Sequence, residues 1–193
     1  MRPLSRKSFM GRAAGGVLLV LLLVGGWFVL DRIMAGRTDH GGTGQPPAAP
    51  VVAQMDYDWS VLDLDGGEFP LGETQGKTLF LNFWATWCPP CVAEMPSIQR
   101  LYDELKDEGV AFVLVSDQRP ATVRRFAQAR GFTLPFYTSE SDPPEVFRTR
   151  GIPATFIASP DGSIVVRHVG AGRWDDEKVV EFIRGLAADE GAP

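Results

Sequence analysis

Trp87-Cys88-Pro89-Pro90-Cys91, with Glu94 three residues on, is the stretch that decides the reading of this chain. Its two cysteines are the only ones in 193 residues. They follow an apolar run over residues 78–84 that reads as a buried strand, and they open a segment that reads as a helix. A Cys-x-x-Cys at a strand-to-helix junction reads as a thiol–disulfide redox site. The physical reason is the helix start. Its first turn carries unpaired N–H groups and the positive end of the dipole, which together stabilise a thiolate, the form that attacks disulfides. Cys91 lies one turn past Cys88, so the two sulfurs share a face and can close a short-range disulfide.

Upstream, Arg2, Arg6, Lys7 and Arg12 precede an uncharged Leu- and Val-rich stretch over residues 13–30. At about 1.5 Å rise per residue this stretch nearly crosses a bilayer core of roughly 30 Å. Ile33 stands two places before Ala35, where a small-x-small cleavage site would need a small residue, so the segment reads as an uncleaved anchor. The basic flank puts residues 1–12 in the cytoplasm and the rest outside. Lys7 stands where a twin-arginine signal would need its second arginine. Five of the 19 basic residues and one of the 24 acids lie at or before Arg32, leaving 14 basic and 23 acidic side chains in the exported part. That balance argues against nucleic acid as a partner.

Residues 31–54 hold Gly41, Gly42, Gly44, Pro46, Pro47 and Pro50 and read as a flexible linker. A folded domain is expected over 55–187 and a tail over 188–193. Within the domain, residues 57–71 read as a β-hairpin around Asp65-Gly66-Gly67. The pattern then predicts a strand over 79–84, a helix over 90–107 with Pro96 kinking it, a strand over 110–115 and a helix over 121–130 stopped by Gly131. A short strand (134–137), a short helix (144–150), a hairpin (154–168) and a closing helix (175–187) complete it. This alternation implies an α/β fold with a mixed sheet covered on both faces.

Asn82-Phe83-Trp84-Ala85-Thr86-Trp87-Cys88-Pro89-Pro90-Cys91, Glu94-Met95-Pro96 and Gly151-Ile152-Pro153-Ala154-Thr155-Phe156 together resemble the thioredoxin fold. More closely they resemble its membrane-anchored extracytoplasmic branch, the TlpA/ResA/CcmG-like thiol-disulfide oxidoreductases. The resemblance covers about residues 55–187. It implies a thioredoxin-like three-layer sandwich with an added N-terminal hairpin and a central helix-strand insert. Cys88 would be the exposed nucleophile and Cys91 the buried resolving cysteine. Pro153 would follow a cis peptide bond and face the two sulfurs. Glu94 would be the acidic residue beside the site, and Asn82 stands where thioredoxins proper carry a buried aspartate. Trp87, Pro89, Pro90, Ile152 and Pro153 would form the substrate-contacting rim, with Asn82 and Pro96 structural near it. The implied activity is reduction of a partner protein's disulfide by the Cys88/Cys91 dithiol. A membrane thiol protein would return the electrons, with cytochrome c maturation as the setting. No cofactor beyond the redox-active disulfide is implied.

Each feature has a plainer reading. A zinc site needs four ligands, usually Cys and His, and the chain adds only His40 and His168. Glu94 as a solvated carboxylate, Pro153 as a trans turn proline and Trp84 as packing are the ordinary alternatives. His168 reads as a strand residue with no acid partner, and residues 140–145 as a solvated loop. At the level of function the alternatives are a disulfide oxidant or peroxidase-like redoxin, and a non-catalytic binding module using the groove around Pro153.

Overall fold

The computed structural model describes residues 51–188. The expected cytoplasmic segment and membrane anchor, most of the linker and most of the tail lie outside the described residues. Among the described residues no helix is long and apolar enough to cross a membrane.

Eight strands form one mixed sheet: β1 (Ala53–Gln54), β2 (Ser60–Asp63), β3 (Glu68–Pro70), β4 (Thr78–Phe83), β5 (Val110–Ser116), β6 (Phe136–Thr138), β7 (Ala154–Ala158) and β8 (Ser163–Val169). Their order across the sheet is β1-β8-β7-β4-β5-β6-β2-β3. β4, β5 and β6 run parallel, and β7 and β8 return antiparallel on the other side of β4. The connections β4 to β5 and β5 to β6 are made by helices α1 (Pro89–Leu105) and α2 (Pro120–Arg130). Both crossovers step the same way across the sheet, so a common right hand places both helices on one face. The closing helix α3 (Glu177–Ala188) joins them there.

The strands sort their side chains with period two. Phe80, Phe112, Leu114 and Ile157 face a cluster with Met95, Ile98 and Leu101 of α1, Val123 of α2 and Val180 and Ile183 of α3. Leu79, Leu81, Val113, Val115 and Phe156 face a second cluster closed by Trp59, by Leu71 of one 3-10 turn (Leu71–Thr74) and by Phe147 of another (Glu145–Phe147). The expected layering is present, with helices on one face and turns with extended chain on the other. The short helix expected over 144–150 shrinks to a single 3-10 turn. Pro144 before it and the extended Arg148 after it leave room for no more.

The end of the linker differs from expectation. Residues 53–54, read as the end of the linker, pair with β8, and the Val52 amide donates to the Ile164 carbonyl at 2.7 Å. Two residues are too few to show a strand period in sequence. The helix α1 runs unbroken through Pro96, which is exposed on its outer side. Its missing N–H leaves only one carbonyl of the preceding turn without an intrahelical donor.

Candidate active site

Helix α1 starts on the active-site motif itself. Cys88 is its N-cap, in an extended conformation, and Pro89 and Pro90 occupy the first helical positions, where a missing N–H costs nothing. The Cys91 amide donates to Cys88 Sγ at 3.3 Å, so sulfur takes the place that a Ser or Asp oxygen takes at an ordinary cap. The two cysteines form a disulfide, S–S 2.08 Å, with Cα atoms 5.3 Å apart.

The loop feeding this helix is latched from the neighbouring strand. The Trp84 amide donates to the Val115 carbonyl at 3.0 Å. Gln118, just past β5, accepts from the Thr86 amide at 2.7 Å and donates to Thr86 Oγ1 at 3.0 Å. Ser116 Oγ donates to the same Gln118 oxygen at 3.3 Å. Trp87 projects from the loop with 66% of its surface exposed, and Pro89 and Pro90 are exposed beside it. Cys88 is 3% exposed and Cys91 fully buried. The expectation of an exposed Cys88 is therefore corrected for the disulfide form: the outer surface of the site is Trp87 and the two prolines.

The second wall is the segment before β7. The Ile152–Pro153 peptide bond is cis, Pro153 is buried, and the Ile152 carbonyl oxygen lies 3.8 Å from Cys88 Sγ. An oxidised sulfur carries no proton, so this is a contact in the disulfide; a thiol at the same place has a proton to donate. Ile152 also borders a cavity of about 440 Å³ with Trp59, Phe83 and Trp84, whose rim carries Asp117, Glu140 and Asp142. Residues 140–142, read as part of a solvated loop, are held to this wall where Trp59 Nε1 donates to Ser141 Oγ at 3.1 Å.

Glu94 is 2% exposed. It lies in the layer between the sheet and the helices. Its Oε1 accepts from Asn82 Nδ2 at 3.0 Å. Its Oε2 accepts from the Gly172 amide and from Trp174 Nε1, both at 2.9 Å. Burial pushes the Glu94 carboxyl above its ordinary value, and it outweighs the three donors and the charge of His168, which pull the other way. The His168 ring stands edge-on to Trp174 at 5.6 Å. Asn82 Nδ2 also donates to Thr155 Oγ1 at 2.9 Å.

The structure brings Trp87, Cys88, Pro89, Pro90, Cys91, Ile152 and Pro153 to one end of the sheet, with Glu94 and Asn82 just beneath. Pro96 stands apart on the outer side of α1. Sequence reasoning missed Gln118, Thr155, Gly172 and Trp174. Gln118 and Trp174 lie in irregular segments with no period to mark them, and Gly172 acts through its backbone amide.

Residues 47–182 match the family model described as Redoxin. A thiol-disulfide oxidoreductase ResA of Halalkalibacterium halodurans is 37% identical over 123 residues, covering 63% of this chain and 69% of that protein. A ResA of Geobacillus kaustophilus is 32% identical over 172 residues, covering 88% of this chain and 92% of that one. Among solved structures, a thiol:disulfide interchange protein of the thioredoxin family from Chlorobium tepidum aligns with a TM-score of 0.56 at 25% identity, covering 75% of this chain and all of that one. With a family match over most of its length and relatives that share its dithiol chemistry by name, the chain belongs to the redoxin family, among the thioredoxin-fold proteins that resemble ResA.

Proposed function

We propose that this protein is a membrane-tethered, extracytoplasmic thiol-disulfide oxidoreductase that reduces disulfides in partner proteins. The observation that carries the reading is the Cys88–Cys91 disulfide at the start of α1, packed against Ile152-Pro153 with a buried carboxylate one turn further along. Its relatives are named for the same class of enzyme.

In the reduced enzyme the Cys88 thiolate, stabilised by the helix start, attacks one sulfur of the partner's disulfide. A Cys88–partner S–S bond forms, the partner's bond breaks, and the released partner thiolate takes a proton. Cys91 then passes its proton to Glu94 and its thiolate attacks Cys88 Sγ. The second partner thiolate leaves, and two electrons have moved from the enzyme to the partner. The enzyme ends with the Cys88–Cys91 disulfide. Trp87, Pro89, Pro90 and Ile152 are the surface the partner meets. A membrane thiol protein re-reduces the pair, and maturation of c-type cytochromes is the pathway proposed from the resemblance. The basic flank and apolar residues 13–30 supply the tether.

Two experiments test this. Cys91→Ser should trap mixed disulfides with partner proteins and Cys88→Ser should trap none; the opposite pattern would reverse the two roles. Fractionation of cells should place the full chain in the membrane with its folded part open to protease only from outside, and recovery in the cytosol would remove the tether. The family match also keeps an oxidant or peroxidase-like redoxin in play. Titrating free thiols against glutathione buffers of defined potential separates a reductant from an oxidant.

A further inference from the structure

We infer that Trp174 is a positioning residue that, with the Gly172 amide, pins Glu94 Oε2 and so directs proton uptake to Oε1, where Asn82 receives it. This rests on the reading of Glu94 as the acceptor of the Cys91 proton. The two carboxylate oxygens differ in their partners. Oε2 is held by two N–H groups, neither of which can accept a proton in return. A proton placed there would break two charge-assisted bonds and face two donors. Oε1 is held by Asn82 Nδ2 alone. The other atom of that amide, Asn82 Oδ1, is buried with no hydrogen-bond donor among the described residues, and an unmet acceptor in a protein interior costs stability.

Protons balance in the transfer. Cys91 loses H⁺ and becomes a thiolate, Glu94 gains it on Oε1, and the Asn82 amide turns over so that Oδ1 accepts from the new O–H and Nδ2 takes the buried place that Oδ1 leaves. Thr155 Oγ1, which accepts from Nδ2 at 2.9 Å, has a hydroxyl proton to donate to Oδ1 in turn. Oε2 remains the carbonyl oxygen and keeps both donors throughout. The indole is held in place by its surroundings. It is 6% exposed and stands edge-on to Phe80 at 5.2 Å. Ser97 Oγ ties the loop to α1 by accepting from the Trp174 amide at 3.3 Å. Among the groups around the carboxylate, β4 and β7 present the neutral Asn82 and Thr155 and β8 presents His168. The loop's Asp175 is paired with Arg100 at 2.8 Å.

The test reads the Glu94 carboxyl directly in the reduced full chain in detergent. The Glu94 C=O stretch is assigned by infrared difference against Glu94→Gln, and its titration midpoint is followed with pH. It is measured in wild type, in Trp174→Phe and in a protein carrying benzothienylalanine at position 174, which keeps the bicyclic ring and replaces the N–H donor by sulfur. Loss of one charge-assisted donor should raise the midpoint by about one pH unit, roughly a tenfold change in proton affinity. The stretch of protonated Glu94 should move to higher wavenumber, because the carbonyl oxygen has lost a donor. If both replacements leave midpoint and band in place, Trp174 is packing and the inference is overturned. If the midpoint rises but the band does not, the proton sits on Oε2 and the directed uptake is overturned. Alkylation rates of Cys91 across pH, compared between wild type and Glu94→Gln, read the underlying proposal separately: superimposable profiles would remove Glu94 as acceptor whatever Trp174 does to its midpoint.

Discussion

Glu94 is a carboxylate with almost no contact with solvent, and its chemistry follows from the contest between burial and three N–H donors. Burial wins, so the folded protein holds the proton of Glu94 to higher pH than the unfolded chain does. Below the ordinary carboxylate value both states are protonated and the contribution to stability is fully present. As pH rises from there through the raised value, the unfolded chain releases its proton first and stability falls. Glu94→Gln removes that titration. Its urea midpoint should therefore be flat across the window where the wild-type midpoint declines, and equal slopes would show that Glu94 does not titrate abnormally. The same substitution keeps a hydrogen-bonding carbonyl for Gly172 and Trp174 and offers an N–H₂ to Asn82 Oδ1, so it should fold.

The elements hold the site through loops more than through helices or strands. Gln118 joins the end of β5 to the loop before α1 by contacts to Thr86 and Ser116. Gln118→Ala should cost about 1–2 kcal/mol in urea unfolding, since it leaves the Thr86 amide short of a partner. It should also slow reduction of a model disulfide, because the loop that sets Cys88 is freed. Unchanged kinetics would reduce Gln118 to a stability role. Between β8 and α3, Gly172 has no room for a side chain: a Cβ there would come within 2.6 Å of the Trp174 ring. Gly172→Ala should destabilise by about 1–3 kcal/mol, as overpacking does. It should also change the environment of the Trp174 indole, which tryptophan fluorescence would report.

For the whole molecule, two apolar layers on opposite faces of one sheet carry the stability, and only one of them lies under the active-site helix. Leu101 of α1 and Phe147 of the turn on the far face are both buried, at 0% and 1% exposure. Truncating either to alanine should cost about 2–5 kcal/mol, a large part of what a domain of this size holds. Chemical denaturation at neutral pH checks this. Both truncations should lower the urea midpoint and leave the mixed-disulfide trapping pattern of the folded fraction unchanged, because neither residue belongs to the Trp87–Cys91 motif or to the Ile152–Pro153 wall.

The strands and helices were legible because their signals are local: continuous apolar runs over 79–83 and 110–115, three-and-four spacing from Val92 to Leu105, and Gly131 closing α2 in the left-handed region at φ 69°. The redox pair was legible for the same reason, since Cys88 and Cys91 are three residues apart and lie at a junction that local pattern reveals. The pairing of residues 53–54 with β8 was not legible, because a two-residue strand has no period of its own. Nor was the partnership around Glu94. Asn82, Gly172 and Trp174 lie 12, 78 and 80 residues from it in sequence. Only the folded sheet, helix and loop together bring three N–H donors to one buried carboxylate. The kind of chemistry and the elements that carry it were therefore written in short stretches of residues. The proton environment of Glu94 was set by folding, because burial and hydrogen-bond count depend on long-range packing.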